Sequence, residues 1–326
     1  MRYLLFIYLF IPLEAINKDS KIYIAGHNGM VGHALIKILT NHGFNNLIYR
    51  TSKELDLRCQ KNVDDFFSIE KPEYVFLAAA KVGGALTKKN YPANYLYDNI
   101  MIICNVINAA AKNNVKKMLF IASASIYPID APQPIKEESF MEGKIEPLNE
   151  LYALSKIIGI KLCQSFNAQF KTNFISCAPN NLYGPHDNFN PETAHVLPAL
   201  INRFHKAKVN NQDEVEIWGT GEAKREFIFV DDLAEACLFL MKNYNSSQVI
   251  NIGCNQDISI KDLAKKIKLI TDFKGHISFD HSKPEGVRKR LLDSSNILKE
   301  GWVANVPLDE GLKQTYQWLK SKEKEV

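Results

Sequence analysis

The chain reads as an α/β protein: a doubly wound parallel sheet with a smaller, discontinuous α/β unit attached. Three observations predict this. Apolar runs at 21–25, 74–80 and 117–122 are nearly continuous, as strands buried on both faces must be. Helical patterns alternate with them, which argues for parallel crossovers. The first run leads through Gly26-His27-Asn28-Gly29-Met30-Val31-Gly32 into a helix, the context that makes a glycine-rich turn credible as a nucleotide site.

With 326 residues and 46% hydrophobic content, the chain is long enough for a full core in one large domain or two. The net charge of +4, from 40 basic and 36 acidic residues without a long block of one sign, argues against nucleic-acid binding by bulk charge. Six cysteines (59, 104, 163, 177, 237, 254) are widely spaced with no C-x-x-C pair. That spacing fits neither a zinc site nor a disulfide framework, so no metal is expected, and reduced thiols in the cytoplasm are. Tyr3 to Leu13 is an apolar run behind Arg2, too short to span a bilayer but of the length of a signal-peptide core. No A-x-A-like cleavage site follows. An export signal, a membrane-associating tail and an extension over 1–20 upstream of the fold all remain open. The extension is preferred, because the first strand begins directly after it.

From Lys21 the elements follow in order. The glycines at 26, 29 and 32 allow a tight turn and a close backbone approach to a pyrophosphate, and the helix that follows offers free N–H groups. This is a Rossmann-type dinucleotide turn, spaced G-x-x-G-x-x-G. A second strand at 46–50 ends in Arg50-Thr51-Ser52-Lys53, where basic residues favour a 2′-phosphate and hence NADP over NAD. A helix near 61–69 precedes the strand at 74–80 and the turn Lys81-Val82-Gly83-Gly84; a long helix is expected over 92–112. The strand at 117–122 ends in Ser123-Ala124-Ser125-Ile126-Tyr127-Pro128. Ligands of such sheets bind beyond the carboxyl ends of strands, which makes Ser123 and Ser125 candidates for chemistry. Tyr152 and Lys156 stand four apart on one helix face. A lysine beside a phenol favours the phenolate and is expected to lower its pKa into a useful range. Strands are expected at 173–177, 226–230, 249–252 and 277–280, with helices at 231–241, 260–271 and 308–320. The strand at 226–230 and its helix are placed with the nucleotide half. The short strands at 249–252 and 277–280 are placed in the smaller unit.

Glycine turn, strand-end serine, Tyr152 and Lys156 together form the constellation of the extended short-chain dehydrogenase/reductases. The runs AGHNGMVG (25–32), AAAKVGG (78–84), NLYGPHDNF (181–189), HVLPALINRFH (195–205) and WGTGEAKREFIFVDD (218–232) resemble the GDP-L-fucose synthases over 21–318. The resemblance implies NADPH-dependent C3/C5 epimerisation and C4 reduction of a GDP-4-keto-6-deoxy sugar by a homodimer. It implies Tyr152 as proton donor, Lys156 as its electrostatic partner on the nicotinamide ribose, Ser123 on the keto oxygen and His195 as epimerisation acid/base. It places Gly26, Asn28, Gly29, Met30, Val31, Gly32, Arg50, Lys53, Ala122, Pro179, Asn180, Leu182 and His195 around NADP(H). It places Asn181, Arg203, Trp218, Arg225, Glu285 and Arg290 around the sugar nucleotide, where guanidinium groups suit phosphate oxygens. The implied division is 21–182 with 225–245 for the cofactor, and 183–224 with 246–326 for the sugar nucleotide. Two departures stand out. Ser125 occupies the position of the family's catalytic cysteine, which favours C4 reduction over epimerisation and keeps open a GDP-hexose or GDP-heptose C4 reductase. Asn28 and Ser52 stand where some members carry arginine, leaving Arg50 and Lys53 for the 2′-phosphate.

Overall fold

The computed structural model describes residues 16–84, 87, 90–283 and 286–323. Strands β1 (Ile22–Ala25), β2 (Leu47–Ile48), β3 (Tyr74–Leu77), β4 (Lys117–Ile121), β5 (Phe174–Pro179) and β9 (Val249–Ile252) form one sheet in the order β2-β1-β3-β4-β5-β9. Every neighbouring pair is parallel. All of these strands except β2 are buried along their whole length, which is why their sequences lack polar alternation. Lys117 is the exception that must be satisfied: its buried ammonium donates to Leu240 O and Asn245 Oδ1, both at 3.0 Å.

Helices α1 (Met30–Asn41) and α6 (Val230–Asn243) cover one face, packing Leu35, Ile38, Leu233 and Leu240 onto Ile22, Ile24 and Phe76. Helices α2 (Gln60–Glu70), α3 (Pro92–Lys112) and α4 (Glu150–Phe170) cover the other with Phe67, Val106 and Ile160. The strand order reverses between β1 and β3, so the crevice opens at their carboxyl ends, where the glycine turn and Lys81–Gly84 lie.

A second sheet is built on β8 (Lys224–Phe229). It pairs antiparallel with β10 (Asp257–Ser259), and parallel with β12 (Lys289–Arg290) and with β6 (Asn181–Tyr183). β7 (Glu214–Trp218) pairs in parallel with β11 (His276–Asp280). Helices α5 (Val196–Val209), α7 (Ile260–Thr271) and α9 (Leu308–Glu323) close a third core around Phe204, Leu263 and Leu312. The start of α7 is fixed by Ser259, whose Oγ accepts from Asp262 N at 3.0 Å. A short helix, α8 (Ser295–Glu300), packs Ile297 against the α1/α6 face.

Three expectations are corrected. The strand expected at 226–230 is β8, which builds the second sheet and pairs with no strand of the main one; its helix α6 packs on the main sheet. Val249–Ile252 is the edge strand of the main sheet, paired with Ser176–Pro179, and not part of the smaller unit. Three apolar residues around Asn251 show that a strand exists but not which sheet accepts it. Residues 16–20 do not lie outside the fold. Ile16 is buried in the core beneath α1, and the Lys18 ammonium sits 4.4 Å from the centre of the Phe44 ring. The apolar run Tyr3–Leu13 lies outside the described residues. Among the described residues no helix is long and apolar enough to cross a membrane.

Candidate active site

The glycine turn is sterically obligatory. Gly26 has φ +91°, and a Cβ there would fall 2.7 Å from the backbone of Ala79; at Gly32 it would fall 2.2 Å from Gly26 O. Only hydrogen fits, so the chain doubles back beside the crevice. Gly29 is the N-cap of α1 and offers no side chain to the helix's first N–H groups, which suits an anionic ligand such as a dinucleotide pyrophosphate. Met30 and Val31 are partly buried against the α1/α6 core, and Asn28 is exposed at the rim. The turn therefore fits a dinucleotide.

At the end of β2 the two expected cations differ. Arg50 is committed within the protein: its Nη2 is 2.6 Å from Glu70 Oε1 and its Nη1 donates to Tyr49 O at 2.8 Å. Lys53 is exposed and, among the described residues, has no ion-pair partner. His27, which the sequence reading passed over, stacks on Tyr49 with ring centres 4.6 Å apart, and burial lowers its pKa.

β4 hands over to the serine turn through Ala122, whose N–H donates to Cys177 O at 2.8 Å. Ser123 Oγ accepts from Ser125 N and from Ser125 Oγ, both at 3.2 Å, closing a single 3-10 turn over Ala124–Ile126. Both serines are partly exposed, while Ala124 between them is buried. Among the described residues no carboxylate or imidazole is hydrogen-bonded to Ser125 Oγ.

Helix α4 packs on this turn and carries Tyr152 in its first turn. Lys156, 3% exposed, donates from Nζ to Ile121 O at 2.8 Å; Nζ lies 4.9 Å from the centre of the Phe120 ring and 5.8 Å from that of Tyr152. The expected depression of the phenol pKa is corrected here. Burial, with Tyr95 adding to it, pushes Tyr152 above the usual phenol value, and burial brings Lys156 down to about 8. Each group is held toward its neutral form because the surroundings solvate charge poorly.

The wall opposite comes from α3. Asn99 grips the backbone of Lys81, accepting from its N–H at 2.7 Å and donating to its carbonyl at 3.1 Å. Gly84 N donates to Thr193 O at 2.8 Å, drawing the segment that leads to His195 against this turn. His195 is exposed at the N-cap of α5.

Between the two sheets, Asn180 is buried just after Pro179 ends β5. Its Nδ2 donates to Glu226 Oε2 at 2.5 Å, and its Oδ1 accepts from Asn181 N and Nδ2 at 3.0 Å. Leu182 packs on the α1/α6 core. Glu226, fully buried, also accepts from Asn255 N at 2.8 Å and Leu292 N at 3.0 Å. Burial raises its pKa. Sequence reading missed it, although a carboxylate directly before the apolar run 227–230 was a usable signal. Asp187 was missed too: burial pushes its carboxyl up to about 7, and its Oδ2 has no partner among the described residues.

The expected sugar-nucleotide residues scatter. Arg203 donates to Glu216 O at 2.5 Å, and its guanidinium lies 6.0 Å from the ring centre of Trp218, which is 56% exposed. Arg225 is half-buried and bonds Lys224 O at 2.7 Å. Arg290 is buried, its guanidinium turned inward onto Ala124 O and Glu146. Glu285 lies outside the described residues.

Residues 22–253 match the model of the NAD dependent epimerase/dehydratase family. The chain is 49% identical to GDP-L-fucose synthase 1 of Arabidopsis thaliana over 302 residues, 93% of this chain and 94% of that one. It is similar to a GDP-6-OMe-4-keto-L-xylo-heptose reductase from C. jejuni, with TM-score 0.91 and 39% identity, covering 95% and 100% of the two chains. It is also similar to the GDP-mannoheptose C4 reductase MlghC from Campylobacter jejuni, solved with NADP bound, with TM-score 0.87 and 41% identity over 94% and 99%.

Proposed function

Because this chain belongs to the NAD dependent epimerase/dehydratase family, we propose that it converts GDP-4-keto-6-deoxy-D-mannose to GDP-L-fucose with NADPH. The reaction is epimerisation at C3 and C5 followed by reduction at C4. The observation that carries this reading is the lock between β4 and α4. Lys156 bonded to Ile121 O sets the helix bearing Tyr152 against the strand end bearing Ser123.

NADPH, when bound, supplies the hydride. The chain's own groups manage protons and charge. A 4-keto group acidifies the hydrogens on C3 and C5, and His195 and Ser125 exchange protons there. Ser123 donates to the keto oxygen, whose charge grows as C4 is reduced. Tyr152 then protonates that oxygen. A phenol whose pKa is raised by burial remains protonated at neutral pH, and an alkoxide is the stronger base. Lys156, mostly protonated below about 8, steadies the phenolate left behind.

The glycine turn and α1 hold the cofactor pyrophosphate, Lys53 meets the 2′-phosphate, and Ala122, Pro179, Asn180 and Leu182 border the nicotinamide half. Asn181, Arg203, Trp218, Arg225 and Glu285 take the sugar nucleotide. The cofactor unit comprises the main sheet and the helices that cover it, α1 to α4 and α6, and the two smaller sheets with α5, α7 and α9 form the sugar-nucleotide unit. The homodimer joins through α3 and α4, which lie side by side and expose Tyr97, Leu154 and Phe170. Six free cysteines suit the cytoplasm.

A second reading is C4 reduction without epimerisation, on a GDP-4-keto hexose or heptose. The Ser125 hydroxyl favours it, since a serine without an adjacent base is a weak proton carrier. NADPH oxidation with GDP-4-keto-6-deoxy-D-mannose tests the main reading: turnover by the protein and its loss in Tyr152→Phe are expected. Undiminished turnover in that variant would overturn the assignment.

A further inference from the structure

We propose that Arg290 is a positioning residue that fixes the serine turn relative to Tyr152, and not a clasp for the diphosphate. The proposal rests on the function above and deepens it.

Arg290 lies in the two-residue strand β12, in register with Arg225 of β8. Its side chain is 10% exposed. Nη1 donates to Ala124 O at 2.9 Å. Ala124 is the residue between Ser123 and Ser125, so this bond holds the middle of the turn. The other arm, Nη2, lies 3.7 Å from Glu146 Oε2, itself 15% exposed. That same oxygen accepts from Asn149 Nδ2 at 2.7 Å. Asn149 is the N-cap of α4, three residues before Tyr152, and its carbonyl accepts from Ala153 N at 2.8 Å.

One guanidinium therefore spans the two pieces of chain that must converge on the keto oxygen. Ser123 approaches from the turn and Tyr152 from the helix. The planar fork suits this bridge, because its two arms point in fixed directions. A residue that receives a diphosphate needs its donors turned toward the ligand. Here both terminal nitrogens face inward, while Arg203 and Arg225 remain nearer the surface. The backbone carbonyl of Arg290 is also 3.5 Å from Asn180 Nδ2, which ties the bridge to the loop between the sheets.

Positioning and ligand binding separate in kinetics. A misplacement of about 1 Å can cost on the order of 100-fold in rate without weakening binding. The test uses full-length Arg290→Lys, Arg290→Met and Glu146→Gln, with GDP affinity measured by calorimetry and kcat and KM by NADPH oxidation. Expected is a fall in kcat of about 10-fold or more in all three, with GDP Kd and sugar-nucleotide KM within about twofold of the parent. Guanidinium ion added to Arg290→Met is expected to restore part of kcat. Arg203→Met is expected to show the opposite split, with weakened GDP and kept kcat. A GDP Kd weakened about 10-fold by Arg290→Met, with kcat kept at saturation, would overturn the proposal. Should Arg290→Met fail to fold, Glu146→Gln carries the same test from the other end of the bridge. If the parent protein does not turn over the sugar, the proposed function fails. The inference is still read from GDP affinity: an unchanged Kd in Arg290→Met supports it and a 10-fold loss overturns it.

Discussion

Replacing Ser125 by cysteine should accelerate epimerisation selectively. The hydroxyl sits in a partly open position, bonded only to Ser123 Oγ among the described residues. It has no base to take its proton, so proton exchange at the sugar carbon is slow. A thiol of ordinary pKa, about 8.5, is roughly one-tenth thiolate at pH 7.5. General acid–base catalysis typically contributes about 10²- to 10⁴-fold. Partial burial raises a thiol's pKa, which places the expected gain at the lower end, about 100-fold. The bond from residue 125 N–H to Ser123 Oγ survives the change, so the turn keeps its shape and C4 reduction should stay within about twofold. The assay is proton NMR in deuterated water with NADP⁺ in place of NADPH, so that exchange at C3 and C5 is seen without reduction. If Ser125→Cys exchanges no faster than the parent while still reducing normally, Ser125 is not the proton carrier and the reasoning fails.

Three further outcomes are expected. Lys156→Met should lower kcat by about 100-fold or more. Its folded pKa is lowered from 10.5 to about 8, so the native state holds fewer protons than the unfolded chain between those values. Parent stability should therefore rise with pH across that window, and melting curves of Lys156→Met should lack the rise. Asp187 has the opposite sign for its class: with its carboxyl raised from 3.8 to about 7, the unfolded chain ionises first, so the native state loses stability as pH climbs between those values. Asp187→Asn should raise Tm at pH 8, by the equivalent of about 1–2 kcal/mol, and by much less at pH 4, near the unfolded carboxyl's own value. An equal shift at both pH values would refute the assignment. Lys53→Ala should raise KM for NADPH by about 10-fold with little change for NADH, since one charge-assisted contact is worth roughly 1.5–3 kcal/mol. A parallel loss for both cofactors would place the 2′-phosphate elsewhere.

The sequence made the main sheet legible because strands buried on both faces leave uninterrupted apolar runs, and the helices at 92–112 and 260–271 coincide with the structure. The glycine turn was readable from its spacing together with its place between a strand and a helix. What was not readable was partnership. Val249–Ile252 showed its strand character but not its sheet. Arg50 and Arg290 showed positive charge but not that Glu70, Ala124 O and Glu146 already engage it. The Tyr152–Lys156 spacing gave the shared face correctly, yet the direction of the phenol shift depends on how much water reaches it. Helix α5 was visible only as a run similar to relatives, and Glu226 was hidden within another.

The most direct test incubates the protein with NADPH and GDP-4-keto-6-deoxy-D-mannose and identifies the sugar product by NMR. GDP-L-fucose is the expected product. A product reduced at C4 but unchanged at C3 and C5 would contradict the epimerase half and leave the reductase reading. An unreduced sugar with NADPH intact would contradict the site itself.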